Sequence, residues 1–177
     1  MNTTQVQRKL LREKIQANYK SHEEVVCDAY STETAISRLK MALLCTVTKA
    51  GKESEIGNIC LKIDWLYQDL ADELDENSSD YESKKENYLA EAHNFAMNAY
   101  EHLSKARMEE SFPIAGMNET TLDYLLSYLG YVKGEYQTAM QYLSGVVSTR
   151  GISPRLKDKC LELKELLNQK LHASADQ

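Results

Sequence analysis

The sequence predicts an all-α fold of about seven helices arranged as antiparallel hairpins. Three observations carry this. Apolar residues recur at three- and four-residue intervals over most of the chain. Only 2 Pro and 7 Gly occur in 177 residues, few for a fold built from strands and tight turns. The polar stretches between the apolar stripes are short, which sets successive helices side by side and antiparallel.

Residues 2–19 read as a polar helix with a weak stripe, Val6 and Leu10 on one side, Leu11 and Ile15 on another; 20–30 read as a connector. The next helix is predicted over 32–50. Ser31 or Thr32 caps it, Glu33 suits its positive end and Gly51 stops it. Ile36, Leu39, Leu43, Met41, Leu44 and Val47 place apolar groups nearly all round this helix, so the pattern predicts one sandwiched between neighbours. A helix over 54–74 carries Ile56, Ile59, Cys60, Ile63, Leu66, Tyr67 and Leu70, with Leu61 and Trp65 opposite, hence two contact faces. DENSSD at 75–80 is a polar turn, and Ser79 with Glu82 reads as a capping box for a long helix over 80–107. The stripe of that helix, Tyr88, Ala92, Phe95, Ala96, Ala99 and Leu103, is rich in alanine, whose small side chain lets a neighbour approach closely.

SFPIAGM at 111–117 interrupts the helical pattern, Pro113 pushing Phe112 towards an extended conformation. Asn118 caps a helix over 119–132, Gly134 turns the chain, and a second short helix covers 135–148. The last helix opens at Ser153–Pro154, cap then first position, and carries Leu156, Cys160, Leu163, Leu167 and Leu171. The expected organisation is a basic N-terminal helix and connector (1–30), a helical domain (31–172) and a frayed tail (173–177).

The net charge of −6 argues against nucleic-acid binding, which wants a basic face. The charge is uneven: residues 1–20 hold five basic and one acidic side chain, 53–91 three and twelve, 150–170 six and three. No 18-residue apolar run predicts a membrane span, and the N-terminus lacks the apolar stretch of a signal peptide. Cysteines at 27, 45, 60 and 160 have no paired spacing. Cys45, Cys60 and Cys160 fall on apolar faces and read as reduced core thiols, so a cytoplasmic location is expected. The 4 His are scattered, without HExxH or the Glu-x-x-His of di-iron bundles. No GxSxG, phosphate loop or GxGxxG occurs. No catalytic, cofactor or metal residue is therefore predicted, and the chain is not expected to be an enzyme.

Leu126, Ser127, Gly134, Tyr136, Ala139, Leu143 and Val146 fit the tetratricopeptide pattern, with small Ser127 and Ala139 where two helices cross. Ala92, Ala96 and Ala99 echo Ala139, Leu143 and Val146, with Leu61 to Tyr67 on the partner helix. Together they predict a tetratricopeptide-like array of antiparallel hairpins. FPIAGMNETTLDYLLSYL, the turn Gly134–Glu135–Tyr136, SPRLKDK at 153–159 and RLKMALLCTVTKAGKESEIGNICLKIDWLYQDL at 38–70 resemble the bacterial domain-of-unknown-function family 2225. The resemblance spans roughly 31–170. It implies a tetratricopeptide-like cytoplasmic protein with no established activity, and an N-terminal segment of paired cysteines that looks zinc-binding. This sequence has no CxxC, so no metal role carries over; the segment is expected to be lost here or to lie upstream.

At about 100° per residue, Leu122, Leu125, Leu126 and Leu129 share one side of the 119–132 helix and Tyr124, Tyr128 and Tyr131 the other. The leucines are expected in the hairpin core, and the tyrosines in a groove that takes a peptide or helix of a bacterial partner, or against adjacent helices. Arg155 and Lys157, cations at a helix start that prefers anions, are the expected acidic anchor. An exposed aromatic stripe also admits self-association into a homo-oligomer. The expected function is thus protein–protein interaction. The alternative is the helical half of a zinc-binding or nucleic-acid-linked regulator.

Overall fold

The computed structural model describes residues 31–175, and among them six helices and no strand. They are α1 (Thr32–Thr48), α2 (Glu53–Asp72), α3 (Tyr81–Glu109), α4 (Glu119–Lys133), α5 (Tyr136–Ser148) and α6 (Pro154–Ala175). The expected helix at 2–19, its connector and Cys27 lie outside the described residues. Two compact units are present, 31–110 with α1–α3 and 111–175 with α4–α6.

In the first unit α2 is central, packed against α1 on one side and α3 on the other. Leu61 and Trp65 are buried together with the main stripe, so α2 does have two contact faces. One layer joins Ala35, Ile36 and Leu39 of α1 to Ile63, Leu66 and Leu70 of α2, with Tyr67, Tyr88 and Phe95 half-buried at its edge. The α2–α3 layer uses the alanine stripe: Ala92, Ala96, Ala99 and Ala106 are at most 4% exposed. At its tightest point a Cβ on Gly57 would stand 2.7 Å from Leu103 Cγ and 3.1 Å from the Leu103 backbone nitrogen. The hairpin is closed by a charge. Glu110, just past the end of α3, accepts from the Ser54 amide (2.9 Å) and the Ser54 hydroxyl (2.6 Å) in the first turn of α2. The α2 cap residue, Lys52, has no side-chain oxygen to offer the first-turn amides, so a carboxylate from the end of the neighbouring helix satisfies that of Ser54 and meets the positive end of the dipole.

Capping chemistry explains most boundaries. Ser31 and Asn118 accept from Thr34 N and Thr121 N, and Ser153 from Leu156 N, as the sequence predicts. Gly134 is left-handed (φ 89°), with Gly134 N bonded to Tyr131 O and Glu135 N to Gly130 O, a Schellman stop for α4. Two expectations fail. The left-handed residue ending α1 is Ala50 (φ 51°), with Gly51 N on Thr46 O. Gly51 is required instead for space, since a Cβ there would meet Thr46 Cγ2 at 2.4 Å. The Ser79–Glu82 capping box does not form either. The α3 cap is Asp80, whose carboxylate is taken by Ser78 and Lys84.

In the second unit α4 and α5 form a hairpin whose crossing point is Ser127 and Ala139, both 0% exposed, the serine hydroxyl donating to the Ala139 carbonyl at 2.7 Å. Leu122, Leu126, Leu143 and Val146 fill its core, and α6 packs on α5 through Cys160, Leu163 and Leu167. Before α4, Ile114 and Met117 exchange backbone bonds across Ala115 (φ 47°) and Gly116 (φ 72°), a tight turn that buries both flanking side chains.

Gly57→Leu is expected to destabilise by about 1–3 kcal/mol through overpacking against Leu103, and Glu110→Ala by about 1–2 kcal/mol through the unsatisfied first turn. Ala50→Gly is expected to stabilise by about 0.5–1 kcal/mol, because alanine is strained at positive φ. Urea unfolding midpoints check all three.

Candidate partner-binding surface

Every residue from 122 to 130 in α4 is buried, the leucine flank and the tyrosine flank alike. Tyr124 and Tyr128 are 4% and 5% exposed. Burial pushes the Tyr124 phenol above its ordinary value, and Cys160 and Glu162 of α6 act in the same direction. Tyr131 alone is half-buried, its ring 6.0 Å from that of Tyr136. Two of the three rings expected to line an open groove are therefore interior. Helical spacing shows that the tyrosines share a flank; it does not show that α6 comes against it.

Arg155 and Lys157 are exposed in the first turn of α6. The backbone there is already engaged: Leu156 N reaches Ser153 Oγ at 3.3 Å and Lys157 N reaches Ser153 O at 3.0 Å. Lys159 pairs with Glu162 at 2.9 Å. The expected acidic anchor thus loses the apolar half of its site.

Among the described residues Leu89, Met108 and Leu161 are exposed singly, and a run of exposed apolar side chains lies on α1. Met41, Leu44 and Val47 are 61%, 57% and 53% exposed, and Cys45 beside them is exposed too. Among the described residues, the helix expected to be sandwiched is buried along one side, through Ala35, Ile36 and Leu39, against Ile63, Leu66 and Leu70 of α2. At about 100° per residue the exposed stripe is centred roughly 130° from that buried face, with Met41 furthest from it and Val47 beside Ile36. Cys45 is correspondingly a surface thiol, while Cys60 and Cys160 are buried as expected. The all-round apolar pattern of 36–47 is the signal that finds this stripe, once one face is known to be uncovered.

Charges rim the stripe. Arg38 and Lys49, both exposed, stand on the Cys45 flank. On the Val47 flank Lys40 donates to Tyr67 Oη at 2.7 Å, pairs with Glu91 at 3.5 Å, and sits 5.1 Å and 5.3 Å from the Tyr67 and Phe95 ring centres. The Tyr67 bond, outweighing some desolvation, holds the Lys40 amine above its usual range. A second cluster joins the start of α2 to the end of α3, Glu53 pairing with Lys105 (2.8 Å) and His102 Nδ1 (2.5 Å). Half-buried Lys62 is pushed down to about 8 by desolvation. Among the described residues no group of three or more His, Cys, Asp or Glu is placed to hold a metal, and no helix is long and apolar enough to cross a membrane.

One family matches the chain, over residues 1–167: "Uncharacterized protein conserved in bacteria (DUF2225)". No curated protein and no solved structure matches.

Lys105 first, then His102, hold the Glu53 carboxyl below its ordinary 4.5. Because the folded value is the lower one, the cluster contributes stability above the unfolded value and loses it as pH falls through the folded value. The urea midpoint of the native chain is expected to exceed that of Glu53→Gln at pH 7, with the gap closing as pH drops below about 4. A gap independent of pH contradicts the ion cluster.

Proposed function

The chain belongs to this family of proteins conserved in bacteria, and on that premise we propose that it is a protein–protein interaction module of the bacterial cytoplasm, a tetratricopeptide-like array rather than an enzyme. The observation that carries the reading is the outer face of α1. Three large apolar side chains more than half exposed along one helix face are a docking surface rather than scattered surface residues. Helical hairpins present such faces on a rigid support, and α1 is held by the shared core of Ala35, Ile36, Leu39, Ile63, Leu66 and Leu70. The repeat assignment is supported by the Ser127–Ala139 crossing, the Gly134 turn and the matching alanine-lined α2–α3 hairpin. The cytoplasmic assignment is supported by the buried thiols of Cys60 and Cys160. The binding site thus moves from the tyrosines of α4 to α1.

Affinity capture from bacterial lysate with the native chain is expected to retain a protein that the triple variant Met41→Ser, Leu44→Ser, Val47→Ser does not. The variant is checked for native helicity by circular dichroism. Identical captures from both chains contradict the α1 surface.

A further inference from the structure

We draw no further inference here: the strongest candidate, the exposed apolar face of α1 formed by Met41, Leu44 and Val47, carries nothing beyond the docking surface already described, because nothing in the structure shows what covers it.

Discussion

Helices α2 and α3 approach so closely that one methyl group at position 57 has no room beside Leu103. This contact sets the rest of the first unit. It demands glycine on one helix and a run of alanines on the other, and a second apolar stripe of α2 lies on the opposite face. There Ile63, Leu66 and Leu70 form the floor on which α1 lies. The exposed stripe of α1 is the far side of a helix fixed by a crossing it does not touch.

Much of this is legible in the sequence because the signals are local. Ser31, Asn118 and Ser153 accept bonds from the amide three residues on, and such geometry depends on nothing remote. The alanine stripe likewise announces close packing, since small side chains on a buried face fit little else. The failures concern what covers a face. The apolar pattern of 36–47 states that the residues are hydrophobic all round, and the structure leaves half of them facing outward. The pattern of 122–131 separates leucine from tyrosine, and the structure buries both flanks through residue 130. Period fixes which residues share a side; coverage depends on distant segments that no period encodes. The Ser79 box is absent because α3 takes Asp80 as its cap, one residue later, with the carboxylate held by Ser78 and Lys84.

The electrostatic arrangement divides by role. Glu53 with Lys105 and His102 and Glu110 with Ser54 stand where α2 begins, and each ties that end to α3. Lys40 with Tyr67 and Glu91 ties α1 across α2 to α3 near the middle of the unit. These polar links are part-exposed and individually modest. Their value is directional: apolar layers tolerate sliding, whereas a carboxylate on a particular amide does not.

The Ser54–Glu110 joint joins residues 56 apart in sequence, at the end of the α2–α3 hairpin furthest from its turn. Pairing that spreads outward from the turn reaches it last, and thermal fraying reaches it first. The first coil of α2 and the final coil of α3 must therefore open together, as one event. Amide exchange at Ser54 therefore reports the opening of the hairpin's mouth, the first step of its unzipping, while the pairing nearer the turn still holds.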